Sequence, residues 1–174
     1  MLNQVFITLG SNINKEYNLP AAVQMMGEMT WVVAVSSVYE TAPVGLEQQA
    51  SFLNAAVLVN TELDPTRFKN EVLAEIERRL GRVRTADKNA PRTIDADMTL
   101  FNQDIFDLDE DHHIPDPQLL EFAHIAVPIA ELAPDLAHPE TGEALSSIAA
   151  RLAKKVRPNG RNSLWKRPDI KLAN

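Results

Sequence analysis

The apolar positions of the first hundred residues fall into short runs separated by helical stripes, and that alternation sets the predicted order of elements. Val5 to Leu9 is an apolar run stopped by Gly10-Ser11-Asn12, which predicts a short buried strand. Leu19, Val23, Met26 and Met29 recur at helical spacing, so an amphipathic helix is expected from about residue 18 to residue 29. Trp31 to Glu40, rich in Val and Tyr, predicts a second strand; Thr41 to Ala50, with Pro43 and Gly45, predicts a loop. Phe52 to Thr61 gives a third strand. Asp64-Pro65 offers an N-cap followed by proline at the first helical position, and Phe68, Val72, Ile76 and Leu80 step along one face before Gly81 ends the helix. Thr93 to Phe101 alternates strictly and predicts a fourth strand.

The order β-α-β-β-α-β predicts an α+β, ferredoxin-like core: a four-stranded antiparallel sheet with two helices on one face. After Phe101 a short hairpin is expected around the acidic stretch Asp104 to Asp111. Short helices are expected near 117–133 and 144–155. Residues 1–156 suit a single domain, and 157–174 predict a basic, solvated C-terminal tail. Such a core hosts many functions, so function has to be argued from a site.

Composition narrows the classes. The 174 residues contain no cysteine, which excludes a disulfide scaffold, a thiolate nucleophile and a cysteine-rich zinc site. The N-terminus lacks the charged and long apolar regions of a signal peptide, and no apolar run reaches the ~18 residues needed to span a bilayer. The expected location is cytoplasmic, with no membrane partner. A formal charge of -7 argues against nucleic acid as a partner. The charge is uneven, however. Arg78, Arg79, Arg82, Arg84, Lys88 and Arg92 lie close together with only Asp87 opposing them, which suggests a small anionic ligand.

Ala90-Pro91-Arg92-Thr93-Ile94-Asp95-Ala96-Asp97-Met98-Thr99-Leu100 carries the most chemistry. Strand alternation puts Ile94, Ala96, Met98 and Leu100 on one face and Thr93, Asp95, Asp97 and Thr99 on the other. The two aspartates then stand roughly 6–7 Å apart at the backbone. Either the pair decorates a solvated sheet face, or it holds a cation. Hard oxygen ligands without His or Cys select Mg²⁺, which takes one or two carboxylates together with substrate phosphates. The adjacent arginines would bind phosphate oxygens through their forked guanidinium groups, unless they too simply face water. Phe52 and Asn54 offer a flat apolar face beside a donor–acceptor amide, which suits a planar heterocycle as well as it suits an ordinary core. The four histidines lack zinc spacing, and no Walker A loop or GxGxxG segment occurs.

Taken together, several segments resemble the 6-hydroxymethyl-7,8-dihydropterin pyrophosphokinase family. They are Leu9-Gly10-Ser11-Asn12, Ser36 to Gly45, Phe52-Leu53-Asn54-Ala55-Ala56, Gly81-Arg82-Val83-Arg84, Ala90 to Asp97 and Ile129 to Pro134. The resemblance runs in order over roughly residues 5–145, and Pro-Arg-x-x-Asp-x-Asp is its most specific element. It implies an ATP-dependent pyrophosphokinase in folate synthesis, in which the hydroxymethyl oxygen attacks the β-phosphorus of ATP and AMP leaves. Asp95 and Asp97 would hold two Mg²⁺ ions. Arg82, Arg84 and Arg92 would line the phosphate path, with Arg82 and Arg92 joining the aspartates as catalytic residues. Glu77 would lie near the nucleotide, with His112 and His113 about the adenine. Thr41, Val44, Gly45, Phe52, Asn54 and His124 would form the pterin pocket. The expected partners are the two small substrates, and the expected state is a monomer or weak homodimer.

Four positions depart from the family pattern. Asn89 and His124 stand where aromatic residues are usual, Asp116 where His is usual, and Phe122 where Arg is usual. These keep two alternatives open: a paralogue acting on a modified pterin or another acceptor, and a non-catalytic pterin- or nucleotide-binding module.

Overall fold

The computed structural model describes residues 1–42, 49–156 and 163–172. Its centre is an antiparallel sheet built from β1 (Asn3–Ser11), β2 (Trp31–Val35), β3 (Tyr39–Thr41), β4 (Phe52–Thr61), β5 (Asp95–Phe101) and β8 (Leu164–Lys166). The order across the sheet is β5-β1-β4-β3-β8, and β2 pairs with the far half of β4. The ferredoxin-like core is therefore present, with six strands in place of the expected four.

Two corrections account for the extra strands. The expected strand from Trp31 to Glu40 is split, because Ser36 bonds the partner strand through both its backbone and its side chain. Its N–H donates to the Ala56 carbonyl at 2.9 Å, and its hydroxyl accepts from the Ala56 N–H at 2.8 Å. That side-chain bond replaces a ladder bond and shifts the register between β2 and β3. The tail expected to be solvated instead contributes β8, with Tyr39, Glu40 and Thr41 opposite Lys166, Trp165 and Leu164. Its Pro, Asn and Gly composition concealed a three-residue strand.

One face of the sheet is covered by α1 (Lys15–Met29) and by a continuous helical segment. That segment is made of α2 (Pro65–Arg67), a π-helical turn (Phe68–Leu73) and α3 (Ala74–Arg79). Asp64 caps it, its side chain accepting from the Arg67 N–H at 2.9 Å. Apolar residues spaced by four drift by about 40° per step on an ideal α-helix. The wider π turn takes up this drift, so Phe68, Val72 and Ile76 all reach the core with Leu9, Leu19, Met26 and Val57. Burial of side chains such as Phe68 and Ile76 contributes about 2 kcal/mol each.

The opposite face carries α4 (Ala123–Leu132) and α5 (Leu145–Ala153), which pack on Phe6, Ala56, Leu58 and Leu100. Leu100 was expected on the face of Met98. A bulge in the β1–β5 ladder, where Phe6 faces Leu100 and Ile7 faces Met98, makes Thr99 the extra residue and turns Leu100 to the α4–α5 side. The remaining pieces are a two-stranded hairpin of β6 (Phe106–Asp107) with β7 (His113–Ile114), and one 3-10 turn, Pro117–Leu120. Among the described residues no helix is long and apolar enough to cross a membrane.

Candidate active site

Helices α4 and α5 cover only the Phe6–Leu58–Leu100 end of their face. Towards the other end the ladders bring Thr8 opposite Asp97, Gly10 opposite Asp95 and Asn54, and Thr41 opposite Phe52. Strand alternation aims all of these at the same face, and the surface they leave is the floor of a cavity of about 300 Å³. Phe122 and His124, at the start of α4, wall one side; Lys88, Asn89 and Arg92 wall the other. Gly10 keeps the floor low. A Cβ there would meet the Asn54 Oδ1 at 3.7 Å and the Phe52 ring at 3.9 Å, ordinary contacts, but it would point into the cavity.

The side chains of this cavity are fixed by specific bonds. The Asn54 amide nitrogen donates to the Thr41 hydroxyl at 2.9 Å and to the Tyr39 carbonyl at 3.3 Å; the carbonyl, which can only accept, settles which way the amide points and presents its oxygen to the cavity side. The Arg92 guanidinium lies 6.0 Å from the centroid of the Phe52 ring. The Phe122 and His124 rings are 5.3 Å apart and tilted by 32°. Asn12, just beyond β1, accepts from the Arg92 N–H at 2.8 Å, while its own amide donates to Gln49 at 2.6 Å. Gln49 in turn donates to the Asn89 carbonyl at 2.8 Å. The loop carrying Lys88, Asn89 and Arg92 is thereby tied to the end of β1.

Asp95 is gripped from two sides. Arg82 donates to its Oδ1 and Arg92 to its Oδ2, each at 3.1 Å. The same Arg82 nitrogen also reaches Glu77 at 3.0 Å and the Ile94 carbonyl at 2.8 Å, and only 10% of this side chain is exposed. Arg82 is thus a strut between α3 and β5. Arg84 donates to Glu77 at 3.0 Å as well, but is 72% exposed, so its guanidinium can turn to a ligand.

Asp97 has no ion-pair partner among the described residues. Burial, followed by the charge of Asp95, holds its carboxyl well above the usual carboxylate range. Burial also raises Glu77, with Arg82 and Arg84 opposing the shift, and burial raises Asp116. An acidic group left unpaired beside a second one is the arrangement a divalent cation relieves. Among the described residues no three His, Cys, Asp or Glu side chains converge into a cage. A pair of carboxylates is nonetheless the donor set of a Mg²⁺ site completed by substrate phosphates and water, so the residues present fit that ion.

A second cavity, of about 360 Å³, opens at the outer edge of β5. It is lined by Glu77, Arg84, Asp97, His112, His113 and Asp116, among others. His112 pairs with Asp109 at 2.7 Å, and His113 with Asp107 at 2.7 Å and Glu140 at 3.1 Å. The Asp107 hydrogen bond is the main cause that raises the His113 pKa. Asp116 is hung on the bulge, its N–H donating to the Thr99 carbonyl at 3.0 Å while its side chain caps the 3-10 turn. Asp97 lines both cavities.

The match to a family model covers residues 6–134, and that model is described as 7,8-dihydro-6-hydroxymethylpterin-pyrophosphokinase (HPPK). The chain belongs to the HPPK family. A relative from Bacillus subtilis, named 2-amino-4-hydroxy-6-hydroxymethyldihydropteridine pyrophosphokinase, is 37% identical over 158 residues, covering 89% of this chain and 93% of the relative. A relative of the same name from Haemophilus influenzae is 34% identical over 153 residues, covering 86% and 91%. Among solved structures, a Plasmodium falciparum HPPK-DHPS triple mutant superposes with a TM-score of 0.69 at 14% identity. That match covers 89% of this chain and 45% of the Plasmodium chain, and it establishes the α+β HPPK fold.

Of the site residues expected from the HPPK resemblance, Thr41, Phe52, Asn54, Arg92, Asp95, Asp97 and His124 gather at the first cavity. Glu77, Arg84, His112 and His113 gather with Asp97 at the second. Val44 and Gly45 lie outside the described residues. Thr8 and Gln118 line the first cavity without having been singled out by sequence. Thr8 was legible in principle, since it shares the strand phase of Gly10. Gln118 was not, because its place depends on the 3-10 turn.

Proposed function

We propose that this chain transfers the pyrophosphoryl group of ATP to the hydroxymethyl oxygen of 6-hydroxymethyl-7,8-dihydropterin in folate biosynthesis. The observation that carries the reading is the meeting of two cavities at one carboxylate, Asp97, with Asp95 and its two arginines at the junction. The first cavity suits the pterin: Phe52 and His124 offer ring faces, and Asn54, held by the Tyr39 carbonyl and the Thr41 hydroxyl, offers the ring edge a hydrogen-bonding amide. Val44 and Gly45 are assigned to the same pocket from the family pattern. The second cavity suits the nucleotide, with Glu77, Arg84, His112 and His113 about it.

In the reaction the hydroxymethyl oxygen forms a bond to the β-phosphorus, the α–β anhydride bond breaks, AMP departs and the hydroxyl proton passes to solvent. Two Mg²⁺ ions, held by Asp95 and Asp97 together with phosphate oxygens, would supply charge neutralisation. Arg82 keeps Asp95 in place from α3, and Arg92 places a fixed positive charge between the pterin cavity and Asp95. Catalysis of this kind rests on positioning and electrostatics, and no strong general base is required. Small-molecule substrates, a cytoplasmic location and a monomeric or weakly dimeric state belong to the same proposal. So does the absence of nucleic-acid and membrane partners, and it is supported by the net charge of -7.

The deciding experiment is AMP release from Mg-ATP with and without 6-hydroxymethyl-7,8-dihydropterin. Pterin-dependent AMP, without ADP, is the expected result. ATP binding without AMP would instead favour a paralogue acting on a modified pterin. The specific observations on that side are the carboxylate of Asp116 and the imidazole of His124 in the cavity walls.

A further inference from the structure

Glu40 is a buried carboxylate on the strand that borders the pterin cavity, and three segments converge on it. It belongs to β3, where its neighbours Tyr39 and Thr41 face the α4 side while Glu40 itself faces the α1 side. The Arg167 Nη1 donates to its Oε1 at 2.7 Å and its Oε2 at 3.3 Å. Lys15, in the first turn of α1, stands 3.7 Å from its Oε1 and donates to the Ser51 hydroxyl at 2.7 Å and the Ser51 carbonyl at 3.0 Å. Glu40 is therefore the hub that joins the C-terminal segment, the start of α1 and the residue before β4.

The hub and its Ser51 arm each stand one residue from the cavity. Thr41 follows Glu40 and accepts from the Asn54 amide, and Phe52 follows Ser51. The C-terminal segment reinforces the arrangement along its length. The Arg167 N–H donates to the Val38 carbonyl at 2.8 Å, the Lys166 ammonium lies 5.9 Å from the centroid of the Tyr39 ring, and Ile170 and Leu172 pack on the core. A buried carboxylate stripped of its guanidinium is costly, and the strand that carries it shifts or takes up water in response.

We propose that Arg167 is a positioning residue for the pterin. Through Glu40 it holds β3 and the start of β4 in place, and so sets the spacing between Phe52, Asn54 and Thr41. This rests on the proposed pyrophosphokinase reading. It makes the residues after 162, which lie beyond the 6–134 match to the family model, part of the substrate-binding apparatus. The nucleotide cavity is at the opposite edge of the sheet, beyond β4 and β1, so the effect is confined to one substrate.

The test compares Arg167→Met, Arg167→Lys and the double variant Glu40→Gln/Arg167→Met with the unaltered chain. KM for the pterin, KM for ATP, kcat and the thermal midpoint are measured well below the melting temperature. Arg167→Met is expected to raise the pterin KM about tenfold while the ATP KM and kcat stay within about twofold. Arg167→Lys is expected to recover most of the loss, because a single nitrogen of Arg167 makes both contacts with Glu40. The double variant leaves no unpaired carboxylate at position 40, so it is expected to fold well and still show the raised pterin KM. An unchanged pterin KM in Arg167→Met or in the double variant overturns the proposal. A parallel loss in both KM values and kcat overturns it as well, since that marks general destabilisation. No pterin-dependent AMP from the unaltered chain would overturn the reaction assignment itself, and with it this role for Arg167.

Discussion

Asp97 lies directly opposite Thr8 in the β1–β5 ladder, on the sheet face that α4 and α5 leave uncovered. Its neighbour Asp95 is neutralised by two arginines, whereas Asp97 has no cationic partner among the described residues. The fold thus keeps one carboxylate fixed and leaves the other available, at the junction of the two cavities.

From this difference Asp97→Asn is expected to abolish turnover, by about a thousandfold or more, while raising stability by about 1 kcal/mol. The gain arises because the amide removes a charge that burial and Asp95 both oppose. AMP release and a thermal melt check the two halves. Millimolar Mg²⁺ with an ATP analogue should raise the melting temperature of the unaltered chain and do so much less in Asp97→Asn. A variant that turns over at wild-type rate would remove Asp97 from the metal site.

Thr41→Val is expected to weaken pterin binding about tenfold with little effect on ATP. The valine is nearly isosteric but cannot accept from Asn54, whose amide then loses its shortest bond and keeps only the longer one to the Tyr39 carbonyl. Measuring the two KM values separates this from a loss of fold. Equal weakening towards both substrates would contradict the assignment of Asn54 to the pterin.

Much of this was legible in the sequence because it depends on short-range periodicity. The strand phase of Asp95 and Asp97, the Asp64 cap and the Phe68–Val72–Ile76 stripe all appear as expected. The failures arise where the backbone breaks its own period. Thr99 as a bulge residue turned Leu100 to the other face, and Ser36 split one strand into two, because its hydroxyl substitutes for a backbone group. Strand β8 was hidden for another reason. Three residues hold too little pattern to announce a strand, and their order comes from Glu40, more than a hundred positions away.

Gly10→Ala is expected to fold normally and to raise the pterin KM several-fold. The added Cβ makes only ordinary contacts with Asn54 and Phe52 but occupies the cavity floor. A melting temperature near that of the unaltered chain, together with a raised pterin KM, is the expected pair of results. A larger residue such as leucine at the same position should extinguish pterin-dependent AMP release altogether. Normal activity in Gly10→Leu would show that the pterin lies elsewhere.

His124 links pH to stability. Burial lowers its pKa from 6.5 to about 4, so the folded protein holds the ring neutral. Between these two values the unfolded chain binds the proton that the folded one refuses. The stabilising contribution is therefore complete above pH 6.5 and is lost as the pH falls towards 4. The full shift corresponds to about 3 kcal/mol, and partial solvation of the cavity reduces this to about 2 kcal/mol. Denaturant unfolding at pH 7.5 and pH 5 should show this loss in the unaltered chain and a smaller one in His124→Phe. The same substitution puts a phenyl ring in the cavity wall, where it stacks better on a flat heterocycle, so the pterin KM should fall. If His124→Phe loses as much stability at pH 5 as the unaltered chain, burial does not depress the His124 pKa, and the ring takes up its proton at the same pH folded as unfolded.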